Sequence, residues 1–246
     1  MKRPNATERQ WTLPLFISQP YPCGYLSDRQ ATSLFADPHI PLSATTYSEL
    51  TRHGFRRSGR TFYRPHCSSC TACIPIRIPG QAFRPNRSQR RNLIHNRDID
   101  HNISVPGFTP ERFELYQNYV TRRHPNGGMD QPSPEDFQNF LVCEGIESVF
   151  FEFRLDQKLV AISVADILTD GLSAVYTFYD TTLSKRGLGV FAILTLIQEA
   201  RLRGLPWIYL GYWIERSDKM RYKNQFKPQQ ILVNGKWSDP DRLTTS

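Results

Sequence analysis

Cys67, Cys70 and Cys73 stand in a run with two residues between each pair. Thiolates at that spacing suit a soft cation, zinc or an iron–sulfur cluster, and a tetrahedral site needs a fourth donor. Cys23 is the natural fourth and His66 the alternative, whereas Cys143, in an apolar helical stretch, reads as packing. The total of five cysteines is odd, so metal or redox chemistry is a better reading than a disulfide framework. Reduced, partly buried thiols without a metal are the other reading of the same residues.

The cysteines lie within a second pattern. From Leu50 to Arg97 there is no Asp, Glu or Lys, yet arginine recurs at Arg52, Arg56, Arg57, Arg60, Arg64, Arg77, Arg84, Arg87, Arg90, Arg91 and Arg97. Such a segment repels itself unless an anion is its partner. A guanidinium fork grips phosphate or carboxylate bidentately, so nucleic acid, an acidic peptide, or both are the expected partners. Near the C-terminus, Lys219, Arg221, Tyr222 and Lys223 interleave cations with an aromatic, which offers phosphate contacts and a stacking face for an unpaired base.

Asp166 lies between Ala165 and Ile167 in an apolar run, where a carboxylate is costly unless paired or used. It is a candidate catalytic group, with a structural bond to a tyrosine or arginine as the alternative. Tyr176 and Tyr179 end the next run and Tyr212 ends a later one, so three phenols join the catalytic candidates.

These residues need elements to hold them. A helix over Thr46–His53 is closed by Gly54, and short strands fit Thr61–Arg64 and Ile74–Ile78. Thr109-Pro110-Glu111 and Ser133-Pro134-Glu135 each open a helix. Strands follow over Val149–Leu155, Leu159–Leu168 and Leu172–Asp180, joined by hairpin-sized turns and therefore antiparallel. A helix over Leu188–Arg203 buries Ile193, Leu196, Ile197 and Ala200, and the strand Trp207–Tyr212 is parallel to the sheet if that helix is a crossover. Gly187-Leu188-Gly189 puts free backbone N–H groups at the helix start, where they favour an anion or a developing oxyanion.

The element order predicts an α+β protein. Residues 106–246 would form an acetyltransferase-like domain with a mixed sheet, and residues 1–105 a smaller, loop-rich Cys/Arg module packed on it. The 39% hydrophobic content of 246 residues excludes a disordered chain, and the net charge of +8 agrees with an anionic partner. No run reaches the roughly 18 apolar residues of a membrane span. Met1–Asn5 leads into no apolar signal region, so a cytoplasmic location is expected.

Several runs resemble the arginyl-tRNA–protein transferase family. They are Leu50 through Gly59 with Tyr63-Arg64-Pro65, Phe83-Arg84-Pro85, Arg87 through Arg91, Ser173 through Asp180, Gly187-Leu188-Gly189, and Tyr209 through Pro228. The short chain and its cysteine pattern are similar to the bacterial branch. The resemblance implies transfer of leucine from leucyl-tRNA to proteins that begin with Asp or Glu, marking them for N-end-rule degradation. An arginyl donor is the alternative, and a CoA-dependent N-acetyltransferase a more distant one. No cofactor is required for that chemistry. Under this reading Asp166, Tyr176, Tyr179 and Tyr212 are expected at the reaction and Arg57 and Arg77 at the acidic acceptor residue. Arg90, Arg91, Gly187, Gly189, Lys219, Arg221, Tyr222 and Lys223 are expected at tRNA, and Cys23, Cys67, Cys70 and Cys73 at a possible zinc or iron–sulfur cluster.

Overall fold

The computed structural model describes residues 12–123 and 131–240; Met1–Asn5, and with it the reading of the N-terminus, lies outside them. In chain order the elements are β1 (Leu15–Ile17), β2 (Tyr21–Pro22), β3 (Gln30–Ala31), β4 (Ser33–Ala36), α1 (Ala44–Arg52), β5 (Arg56–Ser58), β6 (Thr61–Pro65) and β7 (Ile74–Pro79). Then come α2 (Arg87–His95), β8 (Ile99–Ser104), α3 (Pro110–Arg123), α4 (Pro134–Leu141), β9 (Ser148–Leu155), β10 (Lys158–Leu168) and β11 (Gly171–Tyr179). The last are α5 (Leu188–Leu202), β12 (Trp207–Trp213), β13 (Gln230–Val233) and β14 (Lys236–Ser238). Short 3₁₀ turns cover Thr181–Arg186 and Arg221–Gln225.

Eight strands form one mixed sheet in the order β14-β13-β7-β12-β11-β10-β9-β8. Its antiparallel meander follows from local chemistry. Asp156 and Gln157 both take positive φ (49° and 67°), which is the two-residue turn whose twist matches a hairpin. β12 returns parallel to β11 after the α5 crossover, as the element order predicts. Helices cover both faces. α5 packs with Phe153, Ala161 and Leu172, whereas α3 and α4 pack with Phe150, Ile162, Val164 and Phe178 on the other side. β10 is buried almost throughout because it is covered on both faces.

β7 and β8 both precede residue 105, yet they are strands of this large sheet. A boundary at 105 therefore does not separate one sheet from the other. A second sheet, β1-β4-β6-β5, together with the β2-β3 pair, carries the rest of the N-terminal part. The β5–β6 turn is held to α4, where the Gly59 amide donates to Phe140 O at 3.0 Å. Gly59 has φ +57°, and a Cβ there would stand 2.2 Å from Asn139 O, so the turn requires glycine.

Candidate active site

β11 and β12 pair only from Gly171–Ser173 to Trp207–Tyr209, and beyond that they part. Both walls of the fork are irregular. β10–β11 shifts register between Val164 and Ala165, and β12–β7 shifts between Tyr209 and Gly211. Gly211 takes φ +81°, which suits glycine alone at such a bulge. In the middle of an eight-stranded sheet, Ala174–Thr177 of β11 are only half-buried, because their neighbour has moved away.

Parting strands leave carbonyls without a ladder partner, and two cations supply the missing donors. Arg56 donates through Nη2 to Ala174 O and through Nη1 to Tyr209 O at 3.3 Å. Lys223 Nζ donates to Leu210 O at 2.8 Å. Burial, and then the charge of Arg56, push the Lys223 amine down to about 7. Gly211 makes room for both groups: a Cβ there would stand 3.3 Å from Arg56 Nε and 3.6 Å from Lys223 Nζ.

Tyrosines line the neighbouring wall. Tyr119 meets Tyr179 edge-on at 4.9 Å and Tyr176 at 6.2 Å, and Tyr176 also packs on Phe140. Tyr222 lies beside them, its phenol raised by the surrounding protein and then by Tyr119 and Tyr179. The structure thus gathers Tyr176, Tyr179 and Tyr222 around Tyr119, and Lys223, next in the chain after Tyr222, reaches the carbonyl of Leu210 on β12. Tyr212 points elsewhere, donating to Gly54 O at 2.8 Å from a buried position.

α5 begins beside Tyr179 with Gly187 in the left-handed region (φ 62°) and no side-chain cap, so no side chain satisfies the amides of Leu188 and Gly189 at its start. α2 fixes this turn in place. Asn92 and Asn96 each donate to Arg186 O at 2.9 Å, and Gln89 Nε2 donates to Gln225 O at 3.2 Å. One short helix thereby brackets both the Gly187 turn and the Lys223 turn. Its outer face presents Arg87, Arg90 and Arg91 to solvent, and Arg90 also donates to Pro85 O. Lys219 is exposed, and Arg221 is exposed and paired with Asp218.

Two nominated residues lie away from the cleft. Asp166 accepts from Arg57 Nε at 2.6 Å, Arg57 Nη2 at 2.7 Å, Tyr47 OH at 2.7 Å and Ser148 Oγ at 2.6 Å. Every lone pair of that carboxylate is used, and both side chains of the pair are fully buried. The arrangement is the structural alternative for Asp166, and it leaves the Arg57 fork closed to an outside carboxylate. Arg77 is clamped as well. It donates twice to Gln230 Oε1 (2.9 and 2.7 Å), and its guanidinium lies 3.6 Å from the Trp207 ring centroid and 4.5 Å from that of Trp237. These bonds tie β13 and β14 to β7 and β12.

The cysteines line a cavity of about 420 Å³ with Tyr21, Tyr25, Phe35 and Tyr63. Burial, then the neighbouring Cys23, Cys67 and Cys70, push the Cys73 thiol up to about 12. Among the described residues no group of three or more His, Cys, Asp or Glu side chains is gathered so as to hold a metal ion. The four thiols share one cavity, but as arranged they do not make a ligand set.

Sequence reasoning passed over Arg56, Tyr119 and the bracketing Asn92 and Asn96. Arg56 carried a usable signal. Neighbours in a strand point to opposite faces, so one of Arg56 and Arg57 had to face away from the core.

The comparisons with known proteins agree over most of the chain. The family model for the N terminus of arginine-tRNA-protein transferase matches residues 21–91, and that for its C terminus matches residues 111–233. An aspartate/glutamate leucyltransferase of Pseudomonas fluorescens is 48% identical over 92% of this chain and 96% of its own. Another from Alcanivorax borkumensis is 49% identical over 93% of this chain and 94% of its own. Among solved structures, L-PGS from Bacillus licheniformis matches with a TM-score of 0.45 and 14% identity, over 58% of this chain and 46% of that one.

Proposed function

Because the chain belongs to the arginine-tRNA-protein transferase family, we propose that it transfers leucine from leucyl-tRNA to the N-terminal Asp or Glu of acceptor proteins in the cytoplasm, marking them for N-end-rule degradation. The observation that carries this reading is the 48% identity, over 92% of this chain and 96% of the relative, to a protein named aspartate/glutamate leucyltransferase. The fork of the mixed sheet supports it. An antiparallel meander, the α5 crossover and a parallel β12 that parts from β11 make an acetyltransferase-like frame, and the parting strands open the sheet beside the start of α5.

The chemistry asks little of a side-chain base. A free α-amino group has a pKa near ~8, so a large part of it is neutral at cellular pH. The neutral amine attacks the ester carbon; the C–N bond forms and the C–O bond to the ribose breaks. One proton of the amine passes to the ribose oxygen. The oxyanion that develops needs donors in place beforehand, and the uncapped amides opening α5 are suited to that. Tyr176, Tyr179 and Tyr222 then wall the aminoacyl end and exclude water from the ester. Arg87, Arg90 and Arg91 on α2, with Lys219 and Arg221, take the tRNA phosphates. No cofactor enters these steps.

Radiolabelled leucine and arginine, each charged on its tRNA, test the donor. Leucine is expected on acceptors beginning with Asp or Glu and on no control protein. Incorporation of arginine alone would overturn the donor assignment, and incorporation of neither would overturn the reaction.

A further inference from the structure

Among the described residues, Arg56 and Lys223 have no carboxylate partner. Almost every other guanidinium lining the interior is spoken for: Arg57 by Asp166, Arg52 by Asp170, Arg112 by Glu152. Two half-buried cations side by side, without a counterion, repel each other and lose hydration. Burial, and then the charge of Arg56, hold the Lys223 amine below the ordinary lysine range in keeping with that repulsion. Folding tolerates such an arrangement when an anionic ligand completes it.

Donors are left over for that ligand. A guanidinium has five N–H groups and an ammonium three. Arg56 spends one N–H on Ala174 O and one on Tyr209 O, and Lys223 spends one on Leu210 O. The phenols near Arg56 are in part committed elsewhere: Tyr47 OH donates to Asp166 at 2.7 Å and Tyr212 OH to Gly54 O at 2.8 Å, while Tyr63 flanks Arg56 on the paired strand.

We propose that Arg56 and Lys223 form the site that holds the side-chain carboxylate of an acceptor beginning with Asp or Glu. The assignment rests on the leucyl-transfer reading above. Location favours an acceptor carboxylate over a tRNA phosphate. The acidic group of the acceptor is joined to the attacking amine through two or three carbons, so it must lie inside the cleft whenever the amine reaches the ester. The phosphates of tRNA lie beyond a ribose from that ester, and the solvent-facing arginines of α2 are placed to meet them. A pair of full charges also separates Asp from Asn, which differ by charge at nearly constant shape.

Binding is read without any transfer step, by titrating peptides that begin with Asp or Asn into the full chain and following fluorescence anisotropy. Transfer from leucyl-tRNA is measured in parallel. The wild type is expected to prefer the Asp peptide. Arg56→Met and Lys223→Met should each weaken Asp-peptide binding by at least about tenfold. They should leave the Asn peptide and leucyl-tRNA affinity nearly unchanged, so the Asp/Asn ratio collapses. Lys223→Arg, which keeps the charge, should restore most of the ratio and guards against a folding defect. An intact Asp/Asn ratio in all variants would overturn the assignment while leaving the transfer reaction standing. Equal loss of Asp-peptide and tRNA binding would also overturn it, by making the pair a phosphate site. A wild type that prefers neither peptide and transfers no leucine would overturn the underlying reading and this one with it.

Discussion

The strand Arg56–Ser58 sends two neighbouring guanidinium groups to opposite faces, and what each meets there separates folding from function. Arg57 meets a carboxylate with matching geometry, and with Tyr47 and Ser148 the four groups satisfy one another completely. Arg56 meets only backbone carbonyls and another cation. A closed ion pair holds hairpin β5–β6 against the large sheet. An open cation pair at the fork, fixed by that same hairpin, stays available for a ligand. One pattern in the sequence, Arg-Arg, thus supplies a strut and a binding group.

The largest effect should come from breaking the closed pair. Asp166→Ala leaves Arg57 buried without its counterion, and a loss of about 3–5 kcal/mol in urea unfolding is expected. Asp166→Asn should also melt early, yet keep its single-turnover rate once folded. A normal melt with a collapsed rate would return Asp166 to the chemistry and break the contrast drawn above.

The open pair should behave in the opposite way. Lys223 has its folded pKa at about 7, below the unfolded lysine value. Between those values the unfolded chain binds more protons, so stability should rise as pH climbs from 7. The penalty for the charged amine is fully present below 7. Lys223→Met removes that penalty together with the bond to Leu210 O, so thermal melts should show a flatter pH dependence, with the variant gaining most relative to the wild type below pH 7. An unchanged pH dependence in the variant would mean that the charged amine carries no penalty in the fold, and the distinction between strut and ligand site would fail.

Smaller effects are expected at the periphery. Arg91→Ala should lower the slope of log affinity for leucyl-tRNA against log salt by about 0.7–0.9, and leave the Asp/Asn preference alone. An altered preference would move acceptor recognition out of the fork. The smallest effect should follow metal removal. Treating anaerobically purified protein with a chelator should not change the single-turnover rate, because no step at the fork uses the thiols. Elemental analysis and a visible spectrum before and after show whether Cys23, Cys67, Cys70 and Cys73 close on an ion, and a lost rate would place a metal in the reaction.

Much of the frame was legible in the residues. The meander, the α5 crossover and the parallel return of β12 all carry strong periodicity and turn chemistry, and each forms where expected. α2 was not anticipated, although Asn86 and Gln89 form a capping box at its start. Gln89 is the one buried residue of that helix, so no apolar stripe marks it. β8 is equally silent, an edge strand exposed along most of its length. At the site, Tyr176, Tyr179, Tyr222 and Lys223 carry a signal in the sequence, whereas Tyr119 on α3 does not stand out. The choice between Arg56 and Arg57 depended on which face of a three-residue strand meets Asp166, a long-range fact that no local pattern contains.

The central claim is tested most directly by the mass of the acceptor itself. Two proteins that differ only in beginning with Asp or Asn are incubated with the enzyme, a mixture of all charged tRNAs and acetyl-CoA, and their intact masses are then measured. The account predicts a gain of one leucine residue on the Asp protein and none on the Asn protein. A gain of an acetyl group, or equal gain of leucine on both proteins, would contradict it.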